Sequence, residues 1–148
     1  MKKLIIFSVL IISAFSSCEK LEVYDQLNGS RSIEGISGSI MGWQDVKNFD
    51  KLTINQSGSY YVSFNEAEVQ RGSYTIEKQK PRKFADYTIE YFIKFNSTAQ
   101  SDIYSNFYTD LPLDIMLHNN GTLILSQREI TDGFNYHFKR TNFSPDKK

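Results

Sequence analysis

The chain has 148 residues, with 17 Lys and Arg against 17 Asp and Glu, one Cys and only three Pro. This balance of charge excludes the basic face that nucleic-acid binding requires, and a single cysteine excludes an internal disulfide. Eleven Phe and nine Tyr favour strands over helices, because flat side chains suit the pleated surface of a sheet.

Residues 1–17 have the order of a secretory signal peptide, with two lysines, an apolar run over 4–12 and then small residues. The apolar run is too short to span a bilayer. The two serines directly before Cys18 resemble the lipobox of bacterial lipoproteins, although Phe15 stands where that motif prefers leucine. The resemblance implies that the mature chain starts at Cys18. It also implies that acyl chains such as palmitate anchor it in the bacterial cell envelope, on the periplasmic or surface face of the outer membrane.

The alternative is an ordinary cleaved signal peptide followed by an accidental cysteine. Such a protein would keep a reactive thiol in an oxidising compartment, whereas lipidation as a thioether uses the sulfur. Lipidation of Cys18 is therefore the prediction. Removing residues 1–18 also removes Lys2 and Lys3, which leaves 15 basic against 17 acidic side chains and a charge of −2.

The remaining chain divides by composition into three parts. Residues 18–32 are predicted to be the lipidated cysteine and a polar tether, 33–141 a single β domain, and 142–148 a frayed tail. A domain of this size buries about two-thirds of the surface of its unfolded chain, which is enough for a core without disulfides.

Period-two alternation marks the strands, most clearly from Tyr87 to Phe95, where every second residue is large and apolar. Phe92 falls on the polar face of that run, as a surface aromatic or as a loop contact. Turn signals such as Asn119-Asn120-Gly121 separate the runs. They predict strands near 33–43, 49–55, 59–65, 68–77, 86–96, 111–118, 121–127 and 133–141, in a closed barrel or a sandwich.

Two segments between the predicted strands are longer. The basic run from Lys78 to Lys83 is predicted to be a solvated loop, with contact to anionic lipid headgroups as the alternative. Residues 97–110 begin polar and then carry Phe107 among other aromatics. They are predicted to cross one end of the fold as a helical turn or a lid.

Several features together resemble bacterial lipocalin-like lipoproteins over residues 33–141. They are the lipidated cysteine, the tether, a Gly-rich first strand, Gly58-x-Tyr60 with Gly72-x-Tyr74, and Tyr136-x-Phe138-x-Arg140. The resemblance implies an all-β fold, an antiparallel up-and-down barrel of eight strands. The interior of such a barrel is filled by side chains or is just wide enough for one small ligand.

The family usually opens with Gly-x-Trp on its first strand, and that tryptophan packs near the arginine that ends the last strand. Here the nearest matches are Gly38-x-Ile40 and Gly42-Trp43. The resemblance thus implies Trp43 and Arg140 as a candidate barrel-closing pair, provided that a bulge at Gly42 resets the register.

No reactive centre is evident in the sequence. His118 and His137 have no further ligand at metal-like spacing and are predicted to be solvent-exposed, so neither a metal nor a cofactor is expected. No serine lies in a nucleophile motif, and phosphate loops are absent. The chain is predicted not to be an enzyme.

Two functions remain open from the sequence. One is binding of a small hydrophobic ligand in the barrel, and the other is a structural or protein-interaction module of the envelope with a filled barrel. The abundance of large inward side chains argues for a filled interior. The candidate lining residues are Tyr60, Val62, Tyr74, Ile89, Tyr91, Ile93, Leu113, Ile115, Phe134, Tyr136 and Phe138.

Overall fold

Strands make up most of the part of the chain that the computed structural model describes. That part comprises residues 22–38, 40–84, 87–100 (backbone only from 98), 107, 111–128 and 133–141. The predicted signal peptide 1–17, Cys18 and the predicted tail 142–148 lie outside the described residues.

Within the described part of the chain, nine strands follow one short helical segment at residues 22–27. The strands are β1 (Gly29–Gly38), β2 (Gly42–Gln44), β3 (Lys51–Ile54), β4 (Ser59–Phe64), β5 (Ala67–Lys83), β6 (Thr88–Gln100), β7 (Leu113–Leu117), β8 (Thr122–Gln127) and β9 (Asn135–Arg140).

Eight of these strands close into a barrel. From β3 to β9 each strand pairs antiparallel with the next, and β1 pairs with β3 on one side and β9 on the other. The pairing of β1 with β9 joins the two ends of the sheet and closes the barrel. The predicted all-β, antiparallel, up-and-down barrel of eight strands is confirmed. We call the end where β1 begins and β9 finishes the lower end, and the opposite end the upper end.

Tight turns join most neighbouring strands. Gly121 adopts a φ of +84° in the predicted 119–121 turn, where its amide donates to the carbonyl of His118 at 3.0 Å. Only glycine takes this backbone conformation without strain. A tight turn also joins β3 to β4, where the Gly58 amide donates to the Asn55 carbonyl at 3.1 Å.

The predicted first strand 33–43 was wrong in its bounds. Strand β1 begins at Gly29, and the chain turns back before Gly42 into the three-residue β2, which pairs with the last residues of β1. A bulge at Glu34 shifts the register between β1 and β9. It allows both Ile33 and Ile36 to pack against the core although they are three residues apart.

The predicted tether 18–32 was also too long. Residues 22–27 are helical, Leu27 is fully buried, and Val23 and Tyr24 pack against the core. The helical segment therefore belongs to the folded domain and covers the lower end of the barrel. Among the described residues, no helix has the length and apolarity needed to cross a membrane.

The predicted loop at 78–83 is a strand instead. Strands β5 and β6 continue to Lys83 and from Thr88 as a two-stranded ribbon. Only Phe92 and Ile93 of β6 pair with β7. The residues of β6 that precede Phe92, together with their partners on β5, therefore leave the barrel wall. Within the ribbon, the three residues 79–81 lie opposite Glu90 alone, which is a large bulge.

Candidate functional site

The lumen is the first candidate site, because the alternation in the sequence predicts that the candidate lining residues face it. Ten of them lie in the core cluster or pack against it; Tyr91 and Phe134 are among those only partly buried. Ile89 is the exception. It is buried but lies outside that cluster, and it lines a cleft on the outer face of the barrel. The bulge at 79–81 bends the ribbon, which the period of the sequence did not reveal.

Phe107 fills the middle of the lumen. Its ring centroid lies 5.7 Å from that of Phe49, 5.3 Å from Phe95, 5.1 Å from Tyr136 and 6.2 Å from Phe138. Most of these contacts are edge-to-face, the arrangement that aromatic quadrupoles favour. Phe107 is 1% exposed. The predicted lid segment 97–110 thus supplies one side chain to the core, while 101–106 and 108–110 lie outside the described residues.

The lower end of the lumen is closed by the helical segment and two arginines. Both terminal nitrogens of Arg31 donate to backbone carbonyls at the end of the segment, those of Leu27 and Gln26. Arg140 donates to the carbonyl of Asn28 at 2.9 Å. A cation suits this position because the last carbonyls of a helix carry partial negative charge.

Arg31 is 2% exposed, an unusual position for a guanidinium. Burial, and then the positive charge of Arg140, lowers the pKa of Arg31 to about 10. The side chain remains a cation at neutral pH. Its hydrogen bonds to the helix end are what offset the cost of that burial. No pattern in the sequence marked Arg31 as a core residue.

The predicted pairing of Trp43 with Arg140 is wrong. Trp43 pairs with Ser37 near the upper end of β1, whereas Arg140 pairs with Arg31 near the lower end. Six residues of extended strand separate the two positions, or roughly 20 Å. Arg140 instead caps the helical segment.

Trp43 packs on the outer face of the barrel, over Gly35. A Cβ at position 35 would lie 2.4 Å from the indole ring, so only glycine permits this contact. The indole also lies 5.0 Å from the ring of His137, and it remains 54% exposed. His137 is held from the other side by the Ser37 hydroxyl at 2.8 Å from Nε2.

The second candidate site is a cavity of about 400 Å³ at the upper end of the barrel. Its apolar side is formed by Ile36, Met41, Val46, Phe134 and Tyr136, and its polar side by Gln44, Asp45, Lys47 and Asn48. It opens above the aromatic cluster and does not extend through the lumen, because Phe107 and Tyr136 are in contact below it.

The third candidate site lies outside the barrel and is larger than the upper cavity. We call it the outer cleft: a space of about 580 Å³ between the β5–β6 ribbon and the outward faces of β7, β8 and β9. It is lined by Arg82, Phe84, Tyr87 and Ile89 from the ribbon, and by Asp114, Met116, His118, Ile124, Ser126, Gln127, Asn135 and His137 from the wall.

Asp114 attaches the ribbon to the barrel wall. Its two carboxylate oxygens accept hydrogen bonds from Gln79, at 2.9 Å, and from Arg82, which also forms an ion pair with it. Asp114 is buried and Arg82 is partly exposed. A charge-assisted contact in which both carboxylate oxygens are occupied is stronger than an exposed ion pair. The contact therefore fixes the ribbon over the wall.

The tip of the ribbon carries a stacked aromatic pair. The rings of Phe84 and Tyr87 lie 4.8 Å apart with 21° between their planes, and the Phe84 amide donates to the Tyr87 carbonyl at 2.9 Å. Both side chains are exposed, Phe84 by 48% and Tyr87 by 39%. The two rings stabilise each other, and the rest of their surface is exposed to solvent in the cleft.

Only one of the two histidines has its predicted exposure. His118 is exposed as predicted, but His137 is only partly exposed, between Trp43 and Ser37. Burial lowers the pKa of His137; the charge of Glu34 raises it and that of His118 lowers it further. Among the described residues, no group of three or more His, Cys, Asp or Glu side chains is arranged to hold a metal ion.

Phe92, on the outward side of β6, is buried. The guanidinium of Arg128 lies 4.6 Å from its ring centroid and the Lys94 ammonium 5.3 Å away. The Phe92 ring is therefore covered by two cations, which are attracted to the negative face of an aromatic ring.

Comparison of the chain with protein-family models, with curated proteins and with solved structures gives no match.

Proposed function

We propose that this chain is a lipid-anchored, lipocalin-like lipoprotein of the bacterial cell envelope that binds its partner on the outer face of the barrel and carries no cargo in the lumen. The filled lumen is the observation that supports this choice. Phe107 occupies the middle of the barrel in contact with four aromatic rings, where a lipocalin-type cargo would have to lie.

The length of chain after Cys18 supports an orientation on the membrane. Because the folded domain already includes residue 22, four Cα-to-Cα steps separate Cys18 from it, or about 15 Å at full extension. A lipidated Cys18 would thus hold the lower end of the barrel close to the bilayer. The upper cavity would face away from the membrane, and the outer cleft would open to the side.

The anchor is tested by Cys18→Ala in the native host. We expect the variant to leave the membrane fraction and to lose labelling by a palmitate analogue, because without the thiol the thioether that carries the acyl chains cannot form. Ser57→Ala, in an exposed turn, is the matched control and should remain in the membrane fraction. Unchanged partitioning of Cys18→Ala in detergent phase separation would contradict the anchor.

The proposal that the lumen carries no cargo is tested by native mass spectrometry of protein purified from its own membrane. We expect the mass of the chain from Cys18 plus its acyl chains and nothing more. An additional apolar molecule that survives purification and is lost on unfolding would contradict a lumen without cargo.

A second candidate function is binding of a small apolar molecule in the upper cavity. Its volume of about 400 Å³ and the apolar side formed by Ile36, Val46 and Phe134 favour it. The test is titration with N-phenyl-1-naphthylamine, a dye that fluoresces in apolar sites. Saturable binding that Val46→Asp abolishes would move the function to this cavity, whereas no saturable binding would support the outer face.

The proposed activity is binding without catalysis. Asp114 is the buried carboxylate of the outer cleft, and Gln79 and Arg82 occupy both of its oxygens. A carboxylate held in this way is a structural contact and is poorly placed to transfer a proton to a ligand.

A further inference from the structure

We propose that the outer cleft is a binding site for an uncharged saccharide, with the Phe84–Tyr87 pair as the surface on which a sugar ring stacks. This deepens the proposed function, on which it rests for the choice of the outer face. The cleft of about 580 Å³ lies within the range of small-molecule sites, about 300–1,000 Å³, and is open to solvent. An open cleft admits a short stretch of a longer glycan chain.

The aromatic tip supplies the apolar half of such a site. One face of a pyranose ring presents C–H bonds, whose partial positive charge is attracted to the negative face of an aromatic ring. Phe84 and Tyr87 stack on each other and keep about half and two-fifths of their surface exposed. Met116 and Ile124 add apolar surface on the opposite wall. Exposed apolar surface grouped in a cleft is typical of a binding site.

The barrel wall supplies the polar half. Ser126, Asn135 and His118 line the cleft, and their side chains make no hydrogen bond to any other described residue. A hydroxyl, an amide and an imidazole each donate and accept hydrogen bonds, as the hydroxyl groups of a sugar do. These three groups are therefore available to a ligand with several hydroxyls.

The charge of the cleft points to a neutral ligand. Its carboxylate, Asp114, and its arginine, Arg82, are bound to each other, so neither is a free counter-charge for an ionic ligand. The open and half-polar lining disfavours a purely apolar ligand, which needs an enclosed pocket to be removed from water. A neutral compound with one apolar face and a rim of hydroxyls fits both conditions.

The full-length lipidated protein, in lipid nanodiscs free of glycolipid and of sugar-based detergent, is the material for the test. The probes are cellotriose, maltotriose, mannotriose and chitotriose, each measured by saturation-transfer difference NMR. We expect at least one of them to bind. Tyr87→Ala should weaken that binding about threefold to tenfold, because one aromatic contact is lost.

Two further variants separate the cleft from the rest of the surface. Asn135→Ala should also weaken binding, while Tyr61→Ala, on β4 and outside the cleft, should leave it unchanged. All variants are first shown to be folded by their urea unfolding midpoints. The proposal is overturned if none of the four trisaccharides binds, or if binding is indifferent to both Tyr87→Ala and Asn135→Ala. Neither result would bear on the membrane anchor or on the filled lumen, which have separate tests.

Discussion

The inward and outward faces of strands β7, β8 and β9 are built from alternate residues of the same short segments, yet they differ in every physical respect. Inward, Leu113, Leu125 and Tyr136 have no exposed surface. Outward, Met116 and His137 lie in a half-polar cleft that reaches solvent. The comparison teaches that close packing, and with it stability, lies on the inward face, while the outward face is the one that leaves room for the binding proposed above.

The same aromatic side chain should have different consequences on the two faces. We expect Phe107→Ala to lower the free energy of unfolding by about 3–5 kcal/mol, because it removes a ring from the centre of a close-packed cluster and leaves a cavity. Phe84→Ala, at the exposed ribbon tip, should lower it by only about 1 kcal/mol, because it loses one exposed aromatic contact with Tyr87. Urea unfolding of both variants measures the difference. Equal losses would remove the distinction between a structural interior and a functional exterior.

The closure of the lower end should be the next most sensitive feature. Arg31→Gln loses two hydrogen bonds from a charged group to the carbonyls of Leu27 and Gln26, so we expect a loss of about 2–3 kcal/mol in unfolding free energy. Arg140→Gln is the matched control, because Arg140 is more exposed and donates to one carbonyl of the same segment. A smaller loss for Arg31→Gln than for Arg140→Gln would mean that the buried arginine does not hold the helical segment in place.

On the outer face, the close packing of Trp43 on Gly35 should be sensitive to a single methyl group. Gly35→Ala places a Cβ inside the contact distance of the indole, and we expect a loss of about 1–3 kcal/mol and a red-shifted tryptophan emission. Gly38→Ala is the control on the same strand, since its added Cβ would meet its nearest neighbour at 3.7 Å. Trp43 is the only tryptophan, so its emission reports this site alone. Identical spectra for both variants would place the indole elsewhere.

The smallest expected effect is a pH dependence from His137. Burial lowers its pKa in the folded state below the ordinary value of 6.5, so the unfolded chain binds the proton more readily. Its contribution to stability is therefore complete above pH 6.5 and declines as the pH falls through the lowered value. Urea midpoints measured from pH 7.5 down to pH 5 should show this decline, and His137→Gln should reduce its slope. An unchanged slope in His137→Gln would assign the decline to other groups.

The core of the barrel was largely predictable from the sequence. Residues such as Val62, Ile93 and Phe138 alternate with other residues along their strands. In a strand, alternate side chains lie on one face of the sheet, so burying that face removes these apolar side chains from water together. The turn at Gly121 was predictable for a similar reason, because its conformation depends on adjacent residues alone. Such local signals located the strands and the turns between them, and the size of the inward side chains indicated a filled interior.

Other positions depended on contacts between distant segments. Arg31 is buried because the carbonyls of the helical segment meet it, and a charged residue in a polar stretch gives no sign of that. Lys78 to Lys83 extend as a strand because Asp114, 32 residues beyond Arg82, accepts a hydrogen bond from it. Ile89 follows the inward period but lies outside, because the bulge at 79–81 bends the ribbon.

The sequence by itself determined that the fold is all-β, since alternation and turn chemistry are properties of neighbouring residues. These signals fit a barrel and a sandwich equally, and the pairing of β1 with β9 decided for the barrel. Only the tertiary structure decided where binding could occur. The outer cleft exists because one bulge bends a ribbon over strands that lie far along the chain. Beside it, Trp43 lies against His137 because Gly35 leaves room for the indole. Both depend on register and on approach distance, which periodicity does not encode.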